Sequence, residues 1–265
     1  IMPDVVKNFY DENPQREWER GIRHRTEFAV TLRAVEEYFP PAPAKVADIG
    51  GGPGRYALEL ARRGYQVTLS DLSGEELSLA CHLAENEKIQ LTRVVQCNAL
   101  DLSPLGDETY DAILFLGPIY HLHSYTERLR ALMQAVDRLR PGGIIFVAFI
   151  SRYAAFRDCA ARYPDEGPNN PDVYEQLWKD GINHAKDGFT DAYFAFPEEI
   201  DPLLRAAGLT PMITLNSEGI SAGHEGMLNE LQGEQWNWWV DWNYRFSKDP
   251  HLRGAADHWL AIAHQ

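Results

Sequence analysis

Cysteine is scarce in this 265-residue chain, which contains only Cys81, Cys97 and Cys159 and no C-x-x-C spacing. Neither a disulfide framework nor a zinc site is therefore predicted from its cysteines. No apolar run reaches the roughly 20 residues that a membrane-spanning helix needs, and no signal-peptide pattern is visible. These absences lead us to expect a reduced, cytoplasmic protein without a membrane partner.

Basic residues are outnumbered, with 25 Lys and Arg against 39 Asp and Glu and a formal net charge of −14. Nucleic-acid-binding proteins usually present a basic face, because neutralised phosphates supply much of their affinity. The one candidate basic patch, residues 16–25, is interrupted by acidic residues. The balance predicts a small-molecule substrate and no nucleic-acid partner. The length allows one well-buried domain plus a cap.

Glycine is concentrated in one stretch, Lys45-Val-Ala-Asp-Ile-Gly-Gly-Gly-Pro-Gly-Arg-Tyr56. Residues 46–49 are typical of a short buried strand, and 55–63 of a helix. Glycines permit positive φ and close approach of a ligand to the main chain, and a helix N-terminus attracts anions. The stretch therefore predicts a nucleotide-type binding site, with a ligand-free turn as the alternative. From Gly52 it fits the dinucleotide pattern G-x-G-x-x-G/A, and from Asp48 it is Asp-x-Gly-x-Gly-x-Gly.

A second strand is predicted over 66–70 and ends at Asp71, followed by Leu72. An acidic residue 17 positions after Gly54 can accept hydrogen bonds from ribose hydroxyls, in NAD or in S-adenosylmethionine (SAM). Ser73 and Glu76 form a capping-box pattern that predicts a helix over 73–85. A third strand is predicted over 94–100, with Cys97-Asn98-Ala99-Leu100 at its end.

Further strands are predicted over 110–116, 139–149, 210–216 and 255–264. The Asp48-x-Gly50-x-Gly52-x-Gly54 motif and the Leu139-Arg-Pro-Gly-Gly143 turn resemble class I SAM-dependent methyltransferases, densely over 45–150. The resemblance implies a Rossmann-like α/β fold, a doubly wound and mostly parallel sheet of seven strands whose last strand is antiparallel, with a helical cap.

The resemblance also implies residues that bind SAM. Glycines of the loop would hold the methionyl part, Asp71 the ribose, and the corner at Asn98 the adenine, although this family usually has an acid where Asn98 stands. The implied cofactor-binding set is Asp48, Gly50, Gly51, Gly52, Gly54, Asp71, Leu72, Asn98, Ala99, Leu100, Leu116 and Gly117.

The segment after the fourth strand, Gly117-Pro-Ile-Tyr-His121, is the candidate transfer site. It lacks the Asn/Asp-Pro-Pro-aromatic motif of DNA and RNA amino-methyltransferases, and 116–123 lack the acids that hold magnesium in catechol-type enzymes. We therefore expect no metal. His121 is the candidate general base, because a histidine can accept a proton near neutral pH. Tyr120 is the competing candidate, and His121 could instead only fix this loop.

Four regions follow from these assignments: an N-terminal helical lid (1–44), a SAM-binding core (45–150), a cap insertion (151–196) and the C-terminal part of the sheet domain (197–265). Aromatic residues of the lid and cap are the candidate substrate contacts, with core packing as the alternative. The candidate substrate residues are Tyr10, Tyr153, Trp178 and His184. A tryptophan-rich helix or helix pair is predicted over 228–246, packed in the core or in a dimer.

The predicted function is metal-independent methyl transfer from SAM to a small organic acceptor. Two alternatives remain at this point. One is a SAM-binding protein or cyclase that transfers no methyl group, and the other is an NAD-dependent oxidoreductase. The sequence leaves open the acceptor atom and the oligomeric state.

Overall fold

The computed structural model describes residues 3–187 and 189–265. Its strands are β1 (Lys45–Ile49), β2 (Gln66–Asp71), β3 (Arg93–Gln96), β4 (Tyr110–Phe115), β5 (Leu139–Ser151), β6 (Ile182–Asn183), β7 (Ala192–Ala195), β8 (Thr210–Asn216) and β9 (His258–His264). The parallel strands follow the order β3-β2-β1-β4-β5. Strand β9 pairs antiparallel with β5 and with β8, which completes the seven strands that the sequence predicts.

Twelve helices surround the sheet in the described residues. They are α1 (Pro3–Asp11), α2 (Pro14–Arg23), α3 (Arg25–Tyr38), α4 (Arg55–Arg62), α5 (Gly74–Glu87), α6 (Tyr125–Val136), α7 (Arg152–Arg162), α8 (Glu166–Asn169), α9 (Pro171–Asp180), α10 (Ile200–Ala206), α11 (Glu225–Asn229) and α12 (Gly233–Ser247). None of them is both long and apolar enough to cross a bilayer.

The core lies in two layers, one on each face of the sheet, because successive side chains of a strand point to opposite faces. Ala47 and Ile49 of β1 pack in a cluster with α6 and α10. Val46 of the same strand packs in a second cluster with α3, α4 and α5. Helices cover both faces, so the prediction of a doubly wound α/β fold is confirmed.

Two predicted strands are shorter than the sequence suggested. Strand β3 ends at Gln96 instead of residue 100, because the Asn98 side chain accepts a hydrogen bond from Leu100 N at 2.9 Å and turns the chain. Strand β9 begins at His258 instead of residue 255. Residues Pro250–Ala255 form a 3-10 helix capped by the Asp249 side chain, which accepts from His251 N.

The segment 151–196, the predicted cap insertion, contains strands as well as helices. After α7, α8 and α9 it forms an antiparallel hairpin of β6 and β7. Strand β7 also pairs in parallel with Ile150 and Ser151, the last two residues of β5. This pairing extends β5 beyond its predicted end at residue 149 and ties the inserted segment to the sheet.

The tryptophan-rich segment forms a helix pair, α11 and α12. Helix α12 packs along α3, where the hydroxyl of Tyr244 donates to Glu37 at 2.7 Å and Asp241 pairs with Arg33. The Arg25 guanidinium lies over the Trp236 ring, 4.0 Å from its centroid, whereas Trp238 is exposed. Part of the tryptophan face therefore packs within the protein, as the helical spacing predicted.

Candidate active site

One continuous cavity lies at the carboxyl ends of β1, β2 and β4, the usual ligand site of open α/β sheets. The strand ends and following loops supply one wall, and α1, α2 and α3 supply the other. Its lining includes Asp48, Gly50, Gly51, Gly52, Asp71, Leu72, Glu76, Asn98, Ala99, Leu100, Leu116, Gly117, Tyr120 and His121 from the first wall, and Tyr10, Glu17, Arg20, His24, Glu27 and Phe28 from the second. All the predicted cofactor residues except Gly54 thus line this one cavity. Gly54 precedes α4 and donates a hydrogen bond from its N–H to the Gly51 carbonyl at 3.0 Å.

The glycine loop after β1 requires its glycines for two reasons. Gly50, Gly52 and Gly54 have φ of 70°, 52° and 80°, which side chains strongly disfavour. A Cβ on Gly51 would lie 2.6 Å from the Asp48 carboxylate. A Cβ on Gly52 would project toward the cavity between Glu76 and Glu17, with no atom closer than 3.7 Å. The loop therefore presents bare main chain to a ligand.

Asp71 ties the end of β2 to this loop. Its Oδ2 accepts from Gly52 N at 2.8 Å and its Oδ1 accepts from Ser73 N at 2.8 Å. Ser73 Oγ in turn accepts from Glu76 N at 3.1 Å and so caps α5, as the sequence predicted. The reciprocal half of the capping box is absent, because Asp71 already accepts from Ser73 N.

Two buried carboxyl groups of the cavity have no hydrogen-bond partner among the residues that the structure describes: those of Asp48 and Glu76. Burial, with the neighbouring Asp71 charge, raises the pKa of Asp48 to about 7. Burial, with the charges of Asp71 and Glu17, raises the pKa of Glu76 to about 9. Burial also raises the pKa of Asp71, against its backbone hydrogen bonds. Buried carboxyl groups that lack hydrogen-bond partners favour a ligand that carries positive charge.

The corner after β3 places Asn98, Ala99 and Leu100 at one end of the cavity. The side-chain oxygen of Asn98 accepts from Leu100 N, and its carbonyl accepts from Asp101 N at 2.8 Å. The Asn98 oxygen retains a second lone pair for a ligand donor. The bond that this oxygen accepts from Leu100 N stabilises the turn.

At the other end lie Gly117, Tyr120 and His121. A Cβ on Gly117 would come within 2.8 Å of the Gly50 carbonyl, so this close approach of two loops requires glycine. His121 Nδ1 lies 3.0 Å from the Asp191 carbonyl, which can only accept, so Nδ1 carries the proton. The lone pair on Nε2 then accepts from the Tyr10 hydroxyl at 2.9 Å. Burial lowers the pKa of His121 to about 4, so its imidazole is neutral.

Charged side chains of α2 and α3 complete the cavity, and sequence reasoning missed them. Arg20 pairs with Glu27 at 3.2 Å and lies 3.4 Å from His258 Nε2. His258 Nδ1 lies 2.6 Å from Glu218 Oε1, a carboxylate that follows β8. Although burial opposes it, Glu27 and Glu218 raise the pKa of His258. The spacing of 17, 20, 24 and 27 along the N-terminal helices was a usable signal, but two of the partners, Glu225 of His24 and His258 of Arg20, lie 201 and 238 positions away.

Three candidate substrate residues lie elsewhere. The rings of Tyr153 and Trp178 are 5.9 Å apart, and Trp178 stacks edge-on against Phe196 at 5.0 Å, so these rings pack α7 against α9. His184 is exposed, with its ring 5.3 Å from that of His123. None of the three lines the cavity, whereas Tyr10 does. Tyr153 and Trp178 pack within the inserted segment, which contacts the cavity residue His121 through the Asp191 carbonyl and the Phe189 ring.

Comparisons with known proteins support the fold and enzyme class of a class I SAM-dependent methyltransferase. Residues 47–147 match a family described as a methyltransferase domain. The chain is 29% identical over 180 residues to a ubiquinone biosynthesis O-methyltransferase of Xanthomonas axonopodis pv. citri, covering 68% of each protein. It is 31% identical over 115 residues to a tRNA 5-carboxymethoxyuridine methyltransferase of Escherichia coli, covering 43% of this chain and 42% of that protein.

Solved structures agree on the fold. One is the 1,6-didemethyltoxoflavin-N1-methyltransferase of Burkholderia thailandensis with bound S-adenosylhomocysteine, with a TM-score of 0.59 and 18% identity. The match covers 99% of this chain and 88% of that one.

SAM is the cofactor of this class, and the residues present fit it. The ligand carries a sulfonium and an ammonium group, and this cavity offers the partnerless carboxyl groups of Asp48 and Glu76 beside Asp71. NAD carries an anionic pyrophosphate, which the same acids would repel. The charge of the cavity thus argues against the NAD alternative that the glycine pattern alone left open.

Proposed function

We propose that this enzyme transfers the methyl group of SAM to a small organic acceptor that binds between the strand ends and α1 to α3. The observation that carries the proposal is the continuity of the cavity. It runs from the predicted cofactor residues to a second half lined by Tyr10, Arg20, Glu27 and His121. A polynucleotide could enter this second half only if the N-terminal helices moved away, and the net charge of −14 opposes its approach.

The proposed roles of the cofactor half are those that the family resemblance implies. Gly50, Gly52 and Asp48 hold the methionyl part, Asp71 accepts from the ribose hydroxyls, and the Asn98 corner flanks the adenine. The sulfonium supplies an electrophilic methyl group, so the protein mainly positions the acceptor in line and excludes water. Helices α1 to α3 act as the lid, and Asp11 of α1 is already tied to α5 by a hydrogen bond from Ser73 Oγ at 2.5 Å.

His121 orients the acceptor in this proposal. The Asp191 carbonyl fixes its tautomer, so Nε2 presents a lone pair toward the cavity. The Tyr10 hydroxyl occupies that lone pair in this structure. An acceptor hydroxyl, amine or thiol that displaces Tyr10 can donate to the same atom, which aligns the lone pair of the acceptor with the methyl group.

The experiment supplies SAM carrying a tritiated methyl group to the protein together with fractions of a cell extract. The fractions are small molecules, tRNA and protein. We expect label in the small-molecule fraction, at a rate that falls about 10²–10⁴-fold in His121→Ala, while SAM affinity stays unchanged. Label in the tRNA fraction would replace this acceptor class with nucleic acid. SAM binding without label in any fraction would favour the cyclase or regulatory alternative.

A further inference from the structure

The hairpin of β6 and β7 brings two metal-ligating side chains together by its register. Ile182 pairs with Tyr193, and Asn183 with Ala192. The next position of this antiparallel ladder sets His184 opposite Asp191. At the end of this ladder the Asp191 side chain is fixed to the main chain, because its Oδ1 accepts a hydrogen bond from Ala185 N at 2.9 Å. The backbone thus fixes the approach of a histidine and a carboxylate.

A third ligand comes from the loop after β4. His123 is buried, and its Nε2 lies 3.1 Å from the Asn183 carbonyl of the same hairpin. One ligand atom each from His123, His184 and Asp191 lies within 4.8 Å of the others. Residues 116–123 contain no acidic residue, and the fold supplies Asp191 from a segment 68 positions beyond His123.

A second histidine–carboxylate group, Glu27, Glu218 and His258, meets the same distance criterion and differs in chemistry. The atoms of this group that could bind a metal already have hydrogen-bond or ion-pair partners within the protein. Glu218 accepts from His258 and from two backbone N–H groups, and the Arg20 guanidinium lies against both Glu27 and His258. A metal ion there would have to displace a cation.

We propose that His123, His184 and Asp191 bind a divalent transition-metal ion of the zinc type, separate from the methyl-transfer cavity. Two imidazoles and one carboxylate suit zinc, which binds such ligands at about 2.0–2.2 Å and takes water in a fourth position. His184 is the exposed member of the set, so its side chain is the one that would move to close the site. The carbonyl and amide contacts of His123 and Asp191 supply the outer hydrogen bonds that orient metal ligands.

The bound ion would connect the hairpin to the loop that carries His121. The Asp191 carbonyl accepts from His121 Nδ1, so an ion on the Asp191 carboxylate would stabilise the residue that fixes the His121 tautomer. The role is one of positioning, and the ion touches neither cofactor nor acceptor. Binding of the metal does not depend on the proposed function.

The test titrates Co²⁺ and Zn²⁺ into the chelator-treated 265-residue protein, with visible cobalt absorption and calorimetry as readouts. We expect one ion per chain, with zinc affinity on the order of micromolar or tighter. His184→Ala and Asp191→Asn should each weaken it by about tenfold or more. Zinc should raise the melting temperature of the unaltered protein and leave that of His184→Ala unchanged.

Two control variants sharpen the result. His251→Ala removes an exposed histidine outside either cluster and should leave the affinity unchanged. Glu218→Gln should also leave it unchanged. A cobalt affinity that is unchanged in His184→Ala, or that is weakened in Glu218→Gln but not in His184→Ala, would overturn the assignment, as would a zinc affinity no tighter than millimolar. Because His184 is exposed, a folding defect does not confound its variant.

Discussion

The Tyr10 hydroxyl donates a hydrogen bond to His121 Nε2 across 2.9 Å, between residues 111 positions apart. Tyr10 belongs to the first helix, and His121 follows the fourth strand. The bond therefore joins the N-terminal helices to the cavity wall formed by the strand ends and their loops. It fills the lone pair that the proposed function assigns to the acceptor.

Tyr10→Phe removes this bond while keeping the ring. The variant should lose about 1 kcal/mol of folding free energy, the ordinary worth of a hydrogen bond, with SAM affinity nearly unchanged. Chemical denaturation and calorimetry measure the two quantities. Tyr163→Phe, at an exposed position, is the matched control and should change neither. Equal stability of Tyr10→Phe and the unaltered protein would show that the bond contributes nothing.

Asp71→Asn tests the proposed ribose contact with an isosteric side chain. SAM affinity should fall by about 1.5–3 kcal/mol, because a charged hydrogen-bond acceptor is lost. The SAM affinity of Asp71→Ala should fall at least as far, since this substitution also removes the acceptor of Gly52 N and Ser73 N. Calorimetric titration measures both. Unchanged affinity in Asp71→Asn would remove the ribose assignment.

Glu76→Gln should stabilise the ligand-free protein at pH 8. The pKa of Glu76 is about 9 in the folded state and about 4.3 in an unfolded chain, so the folded state holds an extra proton between these values. Stability contributed by this group is therefore lost as pH rises through that window. A glutamine at this position does not titrate, so the variant loses no stability in this pH window.

The advantage of Glu76→Gln should accordingly grow from pH 5 to pH 8 in thermal denaturation. Glu75→Gln, the exposed neighbour on the same helical turn, is the control and should show no such trend. A pH-independent difference between Glu76→Gln and the unaltered protein would mean that Glu76 is ionised in the folded state.

SAM binding should release protons and strengthen as pH rises from 6 to 8. A cationic ligand prefers ionised carboxylates, whereas Asp48, with a pKa of about 7, and Glu76, with one of about 9, are largely protonated in the free protein at pH 6. Calorimetry in buffers of different ionisation enthalpy counts the protons. Proton uptake, or an affinity independent of pH, would contradict the electrostatic account of the cavity.

The sheet was predictable because its strands are apolar runs bounded by glycine, proline and acidic residues, a local signal. The glycine loop and Asp71 were predictable for the same reason. The β6–β7 hairpin was not, since four residues such as Ala192–Ala195 carry too little periodicity and form a strand only by pairing with β5 and β6. Arg20 and His258 were missed because their proximity depends on the complete fold.

The outcome for the candidate substrate residues also depends on contacts made in the complete fold. Tyr10 reaches the cavity because α1 lies over the strand ends. Trp178 does not, because its ring finds partners within the inserted segment. Aromatic composition alone cannot separate these outcomes, since a ring gains similar free energy from packing against a core or a ligand.

A crystal structure with S-adenosylhomocysteine tests the central claim most directly, because the claim assigns each end of the cavity. We expect the ribose on Asp71, the adenine beside the Asn98–Leu100 corner and the sulfur facing Gly117 and His121, with open space between the sulfur and Arg20 for an acceptor. The reverse orientation, or a ligand bound outside this cavity, would contradict the account.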